Sequence, residues 1–205
     1  NFLVSFYNPW AQEKFPGWEQ GVPYKAVGSD DLRIFYPQRI FTQQVLKTGE
    51  LPFWNPYSFS GNYHIGLSET AVFYPLFFIF SILPQSFSWV LLQIIQPIIA
   101  FVGMYFFLKY YMDRRFAFFG GLVFGFSGIV LVRMVEGLSV GHTLIWLPYA
   151  LWGIEGFLKE KKIKFLALLT SAMCLSVLAG WFQFAFYLIG FSFLYAIYRV
   201  LINGR

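Results

Sequence analysis

Four long stretches of this chain contain no Asp, Glu, Lys or Arg, and they constrain its fold more than any other feature. They cover residues 70–108, 116–132, 137–154 and 165–198, which together are more than half of the 205 residues. A helix needs about 17–25 mostly apolar residues to cross a bilayer. Only 12% of the chain is charged, against about 25% in soluble domains. We therefore exclude a soluble globule and predict an all-α fold, a polytopic integral membrane helical bundle.

Composition divides the chain into two regions. Residues 1–69 are polar, aromatic and punctuated by Pro and Gly, which is typical of an ordered extramembrane loop. Within them, apolar side chains at helical spacing predict an amphipathic helix over residues 32–47, and residues 1–7 fit the end of a first span. Residues 70–205 are predicted to form the transmembrane helical region.

The second region is predicted to contain one interfacial helix and five spans. Pro75 and Pro84 interrupt the first charge-free stretch. A helix over residues 71–83 covers only about 20 Å, whereas the hydrocarbon core is about 30 Å thick, so it is predicted to lie in the interface. Spans are predicted at about 86–108, 116–133, 143–158, 164–180 and 183–202, the last two being separated by a bend at residues 180–183.

The positions of the cations predict the orientation, because cytoplasmic loops carry an excess of Lys and Arg. If the spans alternate, one side of the membrane holds nine cations and three carboxylates, and the other holds six cations and seven carboxylates. The basic side is predicted to be cytoplasmic. Residues 1–69 are then on the outer face of the cell membrane. Since Lys and Arg flank apolar runs and form no exposed stripe, we predict no nucleic-acid partner.

Polar groups on the predicted outer face are the candidate functional residues. Asp30 and Asp31 precede the amphipathic helix, where the simpler interpretation is an N-cap with a first-turn acid. The functional alternative is a carboxylate that takes a proton from an acceptor hydroxyl or holds a cation. His64 and Glu69 lie in a Gly-rich link, where surface exposure is the simpler interpretation.

A second group of candidates lies near the start of the predicted span 143–158. His142 in this position is typical of an anchor at headgroup level, and Glu136 is close enough in sequence to pair with it. Arg133 is suited to bind a phosphate, because a guanidinium matches phosphate oxygens bidentately. The two histidines lack the spacing of a zinc motif, so no metal site is predicted, although a divalent cation is left open.

The outer region also carries a specific string of residues. Leu46–Tyr57 reads LKTGELPFWNPY, and it is preceded by Asp31-Leu32 and Phe35-Tyr36-Pro37 and followed by Gly61 and Ala71–Leu76. Gly141-His142, Trp146-Leu147-Pro148 and the bend Ala179-Gly180-x-x-Gln183 continue the pattern. From about residue 28 to residue 190, in this order, the chain resembles the YfhO-type family of bacterial membrane proteins.

That family is similar to glycosyltransferases of the GT-C type. The resemblance implies transfer of a sugar from a polyprenyl-phosphate carrier to a glycopolymer or lipid acceptor of the cell envelope. It implies that Asp31, with Asp30 as neighbour or substitute, is the general base, that His142 supports the phosphate and that Arg133 binds it. Trp54 and Asn55 in the string are assigned to substrate binding with Glu136, Glu69 and His64.

Two departures and two alternatives accompany this hypothesis. Trp181-Phe182 replaces the His-Pro pair common at the family's bend, and family members continue for several more spans, so we expect the chain to be an amino-terminal fragment. Amides within the predicted spans also suit a flippase or transporter of the lipid carrier; they are Gln93, Gln96 and Gln183. The third interpretation is a scaffold that binds envelope polymer without catalysis.

Overall fold

The computed structural model describes residues 30, 34–58, 60–135 and 137–203, and they are mostly helical. In the described residues the first elements are α1 (Tyr36–Lys47), a short antiparallel hairpin of β1 (Trp54–Asn55) and β2 (Asn62–Tyr63), and two 3-10 turns (Ser68–Thr70 and Pro75–Phe78). The helices that follow are α2 (Ile79–Ile82), α3 (Gln85–Leu108), α4 (Arg114–Gly125), α5 (Gly128–Val135), α6 (Leu138–Leu144), α7 (Leu147–Glu160), α8 (Ile163–Leu178) and α9 (Phe182–Asn203).

Two helices are long and apolar enough to cross a membrane, Gln85–Leu108 and Phe182–Ile202. Only 28% and 17% of their apolar windows are buried, whereas the core helix of a soluble protein is mostly buried. The exposed apolar side chains of α3 recur every three or four residues, at Phe87, Val90, Ile94 and Ile98, and so form one stripe. A contiguous apolar surface of this kind is typical of a helix that contacts lipid.

Three of the five predicted spans correspond to single helices, and the other two are each divided into two helices. α3, α8 and α9 match the predicted spans 86–108, 164–180 and 183–202, and α8 has only 16 residues. The predicted span 116–133 is wrong as one helix, since α4 and α5 are separate. The Ser127 hydroxyl donates to the Phe124 carbonyl, which ends α4. The predicted span 143–158 is divided into α6 and α7, and Pro148 lies in the first turn of α7.

Residues 34–83, here called the cap, are less regular than predicted. The predicted interfacial helix 71–83 is a 3-10 turn followed by the four-residue α2, and the hairpin was not predicted. The predicted amphipathic helix 32–47 is confirmed as α1 over Tyr36–Lys47. Its inner face buries Arg39, and Gln43 there donates to the backbone carbonyls of Phe80 and Leu83.

An aromatic core joins the cap to the bundle. Its buried members come from the cap, α3, α6 and the α8–α9 turn, and include Phe35, Tyr74, Phe77, Phe80, Trp89, Leu92, Leu138 and Ala179. The predicted bend at residues 180–183 is confirmed as the turn between α8 and α9. Gly180 has φ +98°, and an ideal Cβ there would lie 2.3 Å from the Ser68 carbonyl oxygen. The cap therefore packs directly on this turn, which only glycine allows.

Glycines allow the helices to approach closely. In α4, an ideal Cβ at Gly125 would lie 2.8 Å from the Pro97 carbonyl oxygen of α3. In α7, an ideal Cβ at Gly153 would lie 2.9 Å from atoms of Leu169 and Phe165 in α8. Small residues at such contacts bring two backbones together and maximise van der Waals packing, as they do in membrane helices.

A buried ion pair fixes α9 at the end of the bundle opposite the cap. The fully buried Glu155 carboxylate of α7 accepts hydrogen bonds from Tyr195 at 2.8 Å and from Arg199 Nη2 at 3.0 Å. Arg199 Nε donates to the same carboxylate, so the contact is bidentate. Bidentate guanidinium–carboxylate pairs have a defined geometry, and this one sets the rotation of α9 relative to α7.

The close packing of α7 on α8 predicts the effect of adding one methyl group. We expect Gly153→Ala to be less stable than Gly190→Ala by about 1–3 kcal/mol, because the added carbon overpacks the α7–α8 contact. Gly190 is the matched control, since it lies inside α9 and an ideal Cβ there meets no atom within 4 Å. The measurement is thermal unfolding of both purified variants in the same detergent. Equal melting temperatures would contradict this packing.

Candidate functional site

A groove of about 810 Å³ lies between α1, the hairpin and the first 3-10 turn. α1 contributes one face of its helix, because residues three or four apart lie on the same side. The groove is lined by Ile34, Pro37, Gln38, Ile40, Phe41, Gln44, Asn55, Tyr57, Ser58, Asn62, Leu67 and Glu69. It combines amides, one carboxylate and aromatic rings.

Local hydrogen bonds shape the hairpin side of the groove. Asn55 is buried, and its Oδ1 accepts from the Tyr57 backbone N–H at 2.9 Å, which is an Asx turn. This turn leaves the Tyr57 side chain 84% exposed, edge-on to Phe41 of α1 with 6.1 Å between ring centroids. Asn62 pairs with Asn55 across the strands, so two amides stand side by side at one wall.

Glu69 is the carboxylate of the groove, and α1 holds it in place. Its Oε1 accepts from Gln38 Nε2 at 3.3 Å. Its backbone carbonyl accepts from Arg39 Nη2 at 3.1 Å, and the same guanidinium nitrogen lies 2.9 Å from Ser139 Oγ of α6. The Arg39 guanidinium also lies over the Phe77 ring, 4.1 Å from its centroid. Arg39 therefore connects α1, the turn that carries Glu69, and the bundle.

His64 lies behind the groove in the protein interior, where the simpler sequence interpretation had placed it on the surface. The hydroxyl of Thr42 donates to the Gln38 carbonyl at 2.9 Å, so its oxygen accepts from His64 Nε2 at 2.8 Å. A neutral imidazole then carries its proton on Nε2. Burial, and secondarily the charge of Arg39, lowers the pKa of His64 to about 4. This histidine stays neutral at physiological pH.

His142 is also fully buried, and it ends a chain of hydrogen bonds. Trp146 Nε1 donates to the Tyr74 hydroxyl oxygen at 3.1 Å, and the Tyr74 hydroxyl is 3.2 Å from His142 Nδ1. The tautomer of the imidazole decides which of these two groups is the donor. Tyr74 and Phe77 pack edge-on against the imidazole. The expected anchor at headgroup level is instead part of the core between cap and bundle.

The structure brings together only some of the predicted site residues. Glu69 and Asn55 line the groove, whereas the histidines are buried behind it. Trp54 is exposed on the other side of the hairpin and covers Gly61, and Arg133 is half-buried on α5. Asp30 is exposed. Asp31 and Glu136 lie outside the described residues, so their roles stay predictions.

Several groove residues were not predicted from the sequence. Gln38, Phe41 and Gln44 follow one another at three-residue spacing on α1, and this helical pattern was available in the sequence. Tyr57 and Asn62 come from the hairpin, whose two-residue strands carry no recognisable alternation. Among the residues that the structure describes, no group of three or more His, Cys, Asp or Glu side chains is arranged to hold a metal ion.

Comparison with known proteins adds no further assignment. No family model matches the chain, and no curated protein or solved structure matches it. The function proposed below therefore depends on the groove and on the resemblance of the sequence motifs.

The buried, neutral His64 predicts a pH dependence of stability. Its folded pKa of about 4 is below the ordinary value of 6.5, so the unfolded chain binds a proton that the folded chain does not between these values. Stability should fall as the pH is lowered from 6.5 to 4. The measurement is a series of melting temperatures from pH 4 to pH 8. The stability of His64→Gln should depend less steeply on pH than that of the wild type, by the equivalent of up to one proton taken up on unfolding. Superimposable pH profiles for the two proteins would show that His64 is not buried in its neutral form.

Proposed function

We propose that this chain belongs to a multi-pass membrane glycosyltransferase of bacterial cell envelopes. The enzyme moves a sugar from a polyprenyl-phosphate carrier to an envelope glycopolymer or lipid acceptor on the outer face. The observation that carries the proposal is the groove in the cap, with its amides, its carboxylate and its two aromatic rings.

The lining of the groove has the chemistry that a sugar requires. Sugar hydroxyls both donate and accept hydrogen bonds, and amides do the same, whereas a carboxylate accepts two or more. The flatter C–H face of a sugar is apolar and packs on an aromatic ring. Tyr57 offers an exposed ring beside Asn55, and Glu69 offers acceptors at the opposite wall. Mixed linings of this kind, apolar with a few placed polar groups, are typical of ligand sites.

The distribution of charge supports an outer position for the groove. The end of the bundle opposite the cap carries the cations of the α3–α4 and α7–α8 connections, among them Lys109, Arg114, Lys159 and Lys164. An excess of Lys and Arg favours the cytoplasmic side. The exposed apolar faces of α3 and α9 support a position of these two helices in lipid. The groove is then on the side where lipid-linked sugars serve envelope assembly.

Asp31 is proposed as the general base of the transfer. It precedes Ile34, a groove residue, by three positions, and three residues span at most about 11 Å. The carboxylate takes the proton of the acceptor hydroxyl while the acceptor oxygen bonds to the sugar's anomeric carbon. The bond from that carbon to the carrier phosphate breaks, and the phosphate leaves with the electron pair. The anomeric configuration is inverted.

The phosphate needs a cation or a dipole near it as charge develops. Arg133 is the proposed group, and a divalent cation held by Asp30 and Asp31 is the alternative. His142 is fully buried and contacts the Tyr74 hydroxyl. Its proposed role is therefore to support the site from the core without touching the donor.

A non-catalytic role has one observation in its favour, since the same groove also suits binding of envelope polymer without turnover. A flippase has less support. Two of the amides that suggested a transport path already have partners. Gln96 donates to the Val130 carbonyl at 3.5 Å, and Gln183 donates to the Tyr187 hydroxyl at 3.0 Å. These bonds are of the kind that join helix turns and neighbouring helices.

The general base is tested by Asp31→Asn in the complete protein, with turnover of a lipid-linked sugar as the measurement. We expect a loss of about 10²–10⁴-fold in kcat, which is the usual contribution of a general base. Asp30→Asn separates the two roles given to these carboxylates: we expect it to lose much less if Asp31 is the base, and a comparable amount if both carboxylates hold a divalent cation. Unchanged turnover of Asp31→Asn at equal expression excludes the assignment. Sugar-polymer binding by a wild-type protein without turnover favours the scaffold.

The groove is tested separately by Tyr57→Ala. Loss of one aromatic contact is worth about 0.5–1.5 kcal/mol, so binding of the sugar should weaken by about 2–10-fold. The measurement is the affinity of the complete protein for its acceptor glycopolymer, or KM where turnover is seen. Tyr63→Ala is the control, because Tyr63 is an exposed tyrosine of the same hairpin outside the groove. Equal losses in the two variants would show that the groove is not the sugar site.

A further inference from the structure

A second cavity lies at the basic end of the bundle, on the opposite side from the groove. It measures about 290 Å³ and is formed where α3 ends, α7 ends and α8 begins. Its lining residues are Phe106, Lys109, Tyr110, Trp152, Glu160, Lys164 and Phe165. Two cations and an aromatic wall thus share one concave surface.

The two cations of this cavity are available to a ligand. Among the described residues, neither Lys109 nor Lys164 forms an ion pair with a carboxylate. Each ammonium group lies over aromatic rings instead, Lys109 at 5.5 Å from the Phe106 centroid and Lys164 at 4.8 Å from that of Phe165. Both lysines are exposed. Neither ammonium group is therefore held in a direct ion pair at the cavity, and the charge of Lys164 acts on Glu160 only at longer range.

The one carboxylate that lines the cavity is already engaged. Glu160 accepts from Lys162 Nζ at 2.9 Å and from the Tyr110 hydroxyl at 3.0 Å. Burial, and secondarily the bond to Glu160, raises the pKa of Tyr110 to about 12, so this hydroxyl keeps its proton. Lys159 donates to the Tyr110 backbone carbonyl at 2.8 Å and holds the α3–α4 connection in place. The cavity as a whole is positively charged and has a fixed shape.

The aromatic wall has a defined position relative to the apolar helices. Phe106 and Trp152 stack with 4.6 Å between centroids and 11° between planes. Lys109 is the first residue after α3, the 24-residue helix that is apolar enough to cross a membrane. If α3 crosses the bilayer, Lys109 is at headgroup level and the Phe106–Trp152 wall is at the level of the first acyl carbons.

We propose that this cavity binds the headgroup of an anionic phospholipid, with the phosphate on Lys109 and Lys164 and the acyl chains against Phe106 and Trp152. Basic pockets between membrane helices on the cytoplasmic side bind such headgroups. The inference rests on the membrane position of α3 and is independent of sugar transfer. A free phosphate would meet the same lysines but would gain nothing from the apolar wall.

The experiment compares lipids retained by the complete protein. Purified protein in mixed micelles receives equal amounts of phosphatidylglycerol and phosphatidylcholine, and the bound lipid is counted by mass spectrometry after washing. We expect retention of phosphatidylglycerol over phosphatidylcholine. A lysine near the membrane surface contributes about 1 kcal/mol to the binding of anionic lipid. Lys109→Gln and Lys164→Gln should therefore each weaken retention about fivefold, and the double variant about 25-fold.

Lys161→Gln is the matched control, because Lys161 belongs to the same α7–α8 connection but does not line the cavity. It should keep the preference, as should the Lys109→Arg/Lys164→Arg variant. Equal loss in Lys161→Gln would show only a general attraction of the basic end, and this would overturn the proposal. Retention that is unchanged in the double Gln variant would also overturn it. Displacement of the lipid by about 10 mM inorganic phosphate, which is well below physiological ionic strength, would identify a phosphate site without lipid specificity and would also overturn the proposal.

Discussion

The buried guanidinium of Arg39 is the contact on which the arrangement of the cap depends. It binds the backbone of Glu69, the hydroxyl of Ser139 in α6 and the face of Phe77, so one side chain joins three segments that are distant in sequence. A buried charge is costly unless its hydrogen-bond donors are satisfied, so Arg39 needs these partners to be in place at the same time. The position of Glu69 in the groove follows from this contact. The charge of Arg39 also adds to the effect of burial, which is the main reason that His64 nearby stays neutral.

The two ends of the bundle are built on different chemistry. At the cap, aromatic rings and amides surround Arg39, and Gly180 allows the cap to pack on the α8–α9 turn. At the other end, the Glu155 carboxylate is paired with Lys159 and Arg199, and the pair with Arg199 ties α9 to α7. Between them, α3 and α9 expose apolar faces. The groove and the basic cavity are therefore separated by the length of the apolar helices.

The buried histidines change how the site is understood. Both were candidates for contact with substrate, because His is the side chain that most often acts near neutral pH. In the structure each forms one hydrogen bond with a cap residue, Thr42 or Tyr74, and is enclosed by aromatic rings. His64 supports the groove from behind through Phe41, and His142 belongs to the core between the cap and the bundle. The carboxylates and amides of the cap are left as the groups that face a ligand.

The sequence alone determined the helical class, the two long apolar helices and the bend at Gly180, because hydropathy and local spacing depend on neighbours along the chain. Of the residues assigned to substrate binding from the sequence, Asn55 and Glu69 line the groove. It did not determine the break at Ser127, since a charge-free run is equally apolar on both sides of it. Nor did it reveal the hairpin or the burial of His64 and His142. Whether a polar side chain faces solvent or the core depends on partners such as Thr42 and Tyr74, which are 22 and 68 residues away. Only the tertiary structure brings such partners together.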